Sequence, residues 1–170
     1  DVADNVIKEL RVEVFPDEFD QLRKRLSDNS EAYKLYLKGS ELGQKRTQES
    51  LTEAISLIEE ATVLEPNFAR AQAELVFLYL LLGTYGELNN DIMAKKMQEH
   101  LQKAQNINPD LPEVLFASAQ VENVIRKDST KAISLFRKAI ELNKNYAPAY
   151  FGLGNALRFV ENAESSRIMA

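Results

Sequence analysis

A chain of 170 residues suits one ordinary domain or one short repeat array, and at that length folding buries roughly 70% of the surface the unfolded chain exposes. It is 45% hydrophobic and 28% charged with only 6 Gly and 5 Pro, a profile that fits a soluble helical protein and argues against a sandwich of short strands, collagen or disorder. Cys is absent and His occurs once, so disulfides, thiolate nucleophiles and sulfur-ligated zinc are excluded, and the net charge of -5 argues against a nucleic-acid surface. No metal and no cofactor are expected.

In chain order, residues 1–28 stand apart from the rest of the chain. Val2, Val6 and Leu10 share a helical face, Arg11 to Phe15 alternates like a short extended segment, and Pro16 opens a helix with Phe19, Leu22 and Leu26 on one side. Arg23-Lys24-Arg25, between Asp20 and Asp28, reads as a solvated face. The start Asp1-Val2-Ala3-Asp4 lacks an initiator Met and a cationic signal-peptide start, so a piece of a longer protein is expected. That leaves a cytoplasmic and a periplasmic setting both open. The longest apolar stretch, Leu75 to Leu82, comes after Glu74 and ends at Gly83. It is a buried helix face, too short to insert into a membrane.

Three similar passages come next. Ala54, Ile58 and Ala61 repeat at Ala132, Phe136 and Ala139, and Met97, Leu101 and Ala104 form the same face between them. Pro66 and Pro109 punctuate two of the exits, because a residue before Pro is pushed out of the helical region. Each passage leads into a second amphipathic stretch: Asn67 to Gly83, Leu111 to about Arg126, and Asn145 to about Val160. The step from Pro66 to Pro109 is 43 residues, whereas Pro109 to the matching Lys144 is 35. The spacing predicts a long loop over Thr84 to Asp91, and a smaller insertion around Lys45 to Ser50.

These alternations resemble the tetratricopeptide repeat (TPR) family, a helix–turn–helix unit of about 34 residues. The most specific match is Ala147-Pro148-Ala149-Tyr150-Phe151-Gly152-Leu153-Gly154, where Leu-Gly comes after an aromatic at the place close helix packing needs a small residue. Leu75, Tyr79 and Gly83 keep the family spacing with Val76 in place of the usual small residue, and Tyr33, Leu35 and Gly39 form a looser first repeat. The resemblance implies an all-α solenoid of antiparallel helix pairs over 29–68, 69–111, 112–146 and a partial or capping 147–160. Residues 161–170 are then a C-terminal tail. Residues 1–39 are also similar to the junction where a TolB-amino-terminal-like domain meets such repeats in bacterial multidomain signalling and regulatory proteins. That similarity makes 1–28 the tail of a preceding domain.

In this family the first helices of successive repeats line a concave groove for peptides. Carried onto this chain, the groove candidates are Tyr33, Tyr36, Ser40, Arg70, Ala73, Phe77, Glu113, Phe116, Gln120, Asn123, Phe151, Asn155 and Arg158. Tyr36, Phe116 and Phe151 take equivalent places, with Ala73 leaving room between them. Aromatics with Arg make interaction hot spots, although an aromatic at helical spacing also serves as core. Arg70 and Arg158 are candidates to pair an acidic residue of a partner. The family members that clamp a chaperone's carboxylate tail carry Lys and Asn where Tyr36 and Ser40 stand, so that ligand is not expected.

An enzyme is not expected. His100 reads as a polar-face or edge residue. Glu59-Glu60 and Asp17-Glu18 are adjacent, and neighbouring helix positions point about 100° apart rather than converging as an acid and a base must. Gly152-x-Gly154 has no strand before it and reads as packing glycines. The expectation is a scaffold module binding a protein or peptide ligand. The alternative is self-association as a homodimer through the terminal helix and N-terminal segment, and light scattering across concentrations separates the two.

Overall fold

In a computed structural model, residues 29–85 and 88–168 are described. Among them are seven α-helices and no strand. They are α1 (Ser30–Gln44), α2 (Gln48–Leu64), α3 (Ala69–Thr84), α4 (Asn90–Ile107), α5 (Pro112–Val124), α6 (Ser129–Leu142) and α7 (Ala147–Ile168). The elements read into the first 28 residues lie outside the described residues.

Local chemistry sets the helix starts. Asn29 caps α1 by accepting from the Glu31 and Ala32 amides at 3.0 and 3.1 Å. Thr47 and Ser50 form a reciprocal capping box on α2, Asp128 accepts from the Lys131 amide at 2.9 Å on α6, and Pro112 occupies the first turn of α5. The turns between pairs repeat one geometry. The amides of Phe68, Leu111 and Tyr146 donate to the carbonyls of Glu65, Asn108 and Asn143, three residues back.

Helices α1/α2, α3/α4 and α5/α6 form antiparallel pairs, and α7 packs on both α5 and α6. The odd-numbered helices also touch in sequence, α1 to α3, α3 to α5 and α5 to α7, so they make one face of the array. The predicted small and apolar positions are its core: Ala54, Ile58, Ala61, Met97, Ala104, Ala132, Phe136 and Ala139 are all fully buried.

Four local expectations are corrected. The extra length of the second pair is helix rather than a long loop: α3 and α4 have 16 and 18 residues against 13 and 14 in α5 and α6, leaving only 85–89 between them. The turn after α1 is likewise 45–47 alone, because the Thr47 box already starts α2 at Gln48. Helix α7 runs on to Ile168, past 160 and through most of the segment read as a tail. His100 is buried at 4% exposure, not placed on a polar edge.

The glycines of α7 differ in role. A Cβ on Gly152 would sit 2.5 Å from Cε1 of Phe136, a fully buried ring, whereas a Cβ on Gly154 meets nothing within 4 Å. Gly39, three residues after Tyr36 as Gly154 is after Phe151, packs against Ile58 of the partner helix α2. Among the described residues α7 has no later partner helix, which leaves Gly154 in open space. We therefore expect Gly152→Ala to destabilise by about 1–3 kcal/mol through overpacking. Gly154→Ala should instead stabilise by about 0.5–1 kcal/mol through helix propensity. Urea unfolding of the two variants checks the opposite signs.

Candidate functional site

On the face made by the odd-numbered helices lies a cavity of about 510 Å³. Helix α1 contributes Tyr36 and Ser40, α3 contributes Arg70, Glu74 and Phe77, α5 contributes Glu113 and Phe116, and the entry to α7 contributes Tyr146, Pro148 and Phe151. The aromatic walls are held by ring contacts. Tyr36 lies 5.1 Å from Phe68, and Phe116 meets Phe77 at 5.5 Å and Tyr146 at 5.7 Å, both edge-on.

Of the groove residues read from the sequence, Tyr36, Arg70, Phe77, Phe116 and Phe151 line this cavity, with Ser40 and Glu113 beside them. Tyr33 does not line it and stacks on Tyr36 at 6.2 Å. Gln120 is buried at 8% exposure, and Asn123 accepts from Ser129 Oγ at 2.9 Å across the α5–α6 turn. Asn155, half-buried, and Arg158, exposed, lie further along α7 outside the cavity lining. Ala73 is core. Phe116, at 4% exposure, belongs to the floor and the core at once, whereas its equivalent Phe151 is 64% exposed at the rim.

Two residues outside the groove candidates define the polar character of the site. Glu74 lines the cavity, and burial followed by the charge of Glu113 raises its carboxyl from 4.5 to about 7. Tyr146 forms part of the wall, and its phenol is raised by burial first and then by Glu74 and Glu113. Burial and then Glu74 also raise the Tyr36 phenol. A usable signal existed for Glu74: it lies one turn after Arg70 on the same helical face, at the threshold of an apolar run.

Arg70, expected to pair a partner's carboxylate, already meets one within the chain: its Nε lies 3.0 Å from Glu113 Oε1. Glu113 Oε2 is shut off from solvent with no hydrogen-bond partner among the described residues, and Ser40 Oγ is enclosed beside the Tyr36 phenol. Away from the cavity, His100 Nδ1 lies 2.8 Å from Gln72 Oε1 and its ring stacks on Tyr79 at 5.5 Å. Burial, and then Lys103, lowers its pKa from 6.5 to about 4. Among the described residues no group of His, Asp or Glu is placed to hold a metal ion, and no helix is long and apolar enough to cross a membrane.

The fold is that of a tetratricopeptide domain. The chain is similar to the crystal structure of the Sgt2 TPR domain from Aspergillus fumigatus, with a TM-score of 0.59 at 18% identity, over 82% of this chain and 85% of that one. No family model and no curated protein matches the sequence.

Proposed function

We propose that this chain is a non-catalytic protein–protein interaction module that receives a peptide or protein segment in the concave groove of its odd-numbered helices. We place it in a larger bacterial signalling or transcription-regulatory protein. One observation carries the binding reading: three successive first helices and the start of a fourth converge on one aromatic-lined cavity open to solvent. Pockets of this kind, with a few placed polar groups, are the usual form of a recognition site. The bacterial setting rests on the resemblance of residues 1–39 alone. The non-catalytic reading is supported by His100, the only imidazole, which is held inside the α3–α4 contact.

The test is selection of a displayed random-peptide library on the full chain, with Phe151→Ala as the comparison bait. Phe151 is exposed, so its truncation leaves the core intact. Selected peptides are expected to bind the variant about tenfold more weakly, the loss of one aromatic hot spot. Peptides indifferent to Phe151→Ala, or no selection at all, would overturn the groove reading.

A further inference from the structure

We infer that the cavity is built for an ammonium group, and that the segment entering the groove inserts a lysine side chain between the aromatic walls to meet Glu74 and Glu113. The inference rests on the groove reading and names what that groove recognises.

The unmet demand inside the cavity is for hydrogen-bond donors. Arg70 answers one oxygen of Glu113, and the other, Oε2, is buried without a partner among the described residues. Among the same residues no hydrogen bond or ion pair engages Glu74. Ser40 Oγ, enclosed beside the Tyr36 phenol, supplies another acceptor. An ammonium carries three N–H donors on one compact centre, matching acceptors on α1, α3 and α5, whereas a planar guanidinium demands a flat fork.

The walls fit the same group. Tyr36, Phe77, Phe116, Tyr146 and Phe151 line the same cavity as the two carboxylates, and aromatic faces attract cations while their rings cover a lysine's aliphatic stem. The charged and titratable lining groups are Tyr36 on α1, Arg46 at the exposed turn after it, Arg70 and Glu74 on α3, Glu113 on α5 and Tyr146 before α7. Arg46 lies on the exposed rim and the Nε of Arg70 is engaged by Glu113, whereas no cation in the lining engages Glu74. A bound ammonium favours the ionised form of Glu74, so capture strengthens as pH rises through 7.

The test titrates the full chain with n-butylammonium at pH 8, following amide resonances of Ser40, Gly43 and Glu74 by NMR. The comparison probes are 1-butanol, butyrate and butylguanidinium. Saturable shifts with n-butylammonium are expected at concentrations where 1-butanol and butyrate have little effect. Glu74→Gln should weaken the response about tenfold, the worth of one charge-assisted hydrogen bond. Arg70→Gln, which releases Glu113 Oε1, should strengthen it. Equal response to 1-butanol, stronger response to butyrate or butylguanidinium, or no saturable shift would each overturn the inference. Display-selected peptides that need Phe151 yet carry no lysine would sink the lysine inference and leave the groove reading standing. Saturable n-butylammonium binding with no peptide selected would leave an ammonium site standing but sink the groove reading, and with it the inserted lysine.

Discussion

Phe136→Ala is expected to cost about 3–5 kcal/mol of unfolding free energy, the range for deleting a buried aromatic ring. Phe136 is fully buried on α6, its ring edge fills the space opposite Gly152, and it stands 5.8 Å from Phe116. Its removal leaves α7 without the surface its glycine was shaped to meet, and it undercuts the floor of the cavity. Stability in repeat arrays is close to a sum of unit and neighbour terms, so the loss should be local. Hydrogen exchange should show α6 and α7 losing protection before α1 to α4. A loss below about 1 kcal/mol, within the reach of an ordinary surface substitution, would contradict the packing described.

The second large effect concerns two buried groups whose titrations oppose each other. His100 is held neutral, with its pKa lowered from 6.5 to about 4. The unfolded chain therefore binds the extra proton in that window, and this contribution to stability falls as pH drops from about 6.5 to about 4. Glu74 is raised from 4.5 to about 7. Here the folded chain keeps the proton, so its contribution is fully present below about 4.5 and is lost as pH rises through 7. Each shift amounts to about 3 kcal/mol. Between about 4.5 and 6.5 the two slopes cancel in the wild type. Glu74→Gln should expose the His100 slope and gain about 3 kcal/mol relative to wild type between pH 5 and pH 8. Urea midpoints across that pH range measure it, and parallel curves for the two proteins would refute it. The same variant is the one expected to weaken ammonium binding. An unpartnered carboxyl that costs stability while empty is the expected signature of a group retained for a ligand.

The helical pairs and their core were legible because helix periodicity is local. Ala54, Ile58 and Ala61, and again Ala132, Phe136 and Ala139, declare their buried face by spacing alone, and the prolines declare the exits. The loop expected over Thr84 to Asp91 shows where this reading stops. Thr84 and Asn90 to Asp91 are helical, the start of α4 being capped by Asn89, which accepts from the Asp91 amide at 2.8 Å. A count of residues between prolines cannot apportion added length between helix and turn.

The candidate site was legible in part, for a similar reason. Tyr36, Phe116 and Phe151 have equivalent spacing, yet one is half-buried, one is core and one is exposed. Phe116 lies on a helix flanked by α3 and α7, whereas α7 has α5 and α6 beside it and no later helix among the described residues. Position in the array therefore sets burial, and spacing does not carry it. The sequence by itself determined which residues turn toward the paired helix, because that depends on neighbours three and four places away. Tertiary structure alone decided that Gly152 rather than Gly154 meets a ring, that His100 is enclosed, and that Arg70 pairs with Glu113 and leaves Glu74 unanswered. Each of those outcomes depends on distances between residues on different helices, and those distances exist only once the helices have packed.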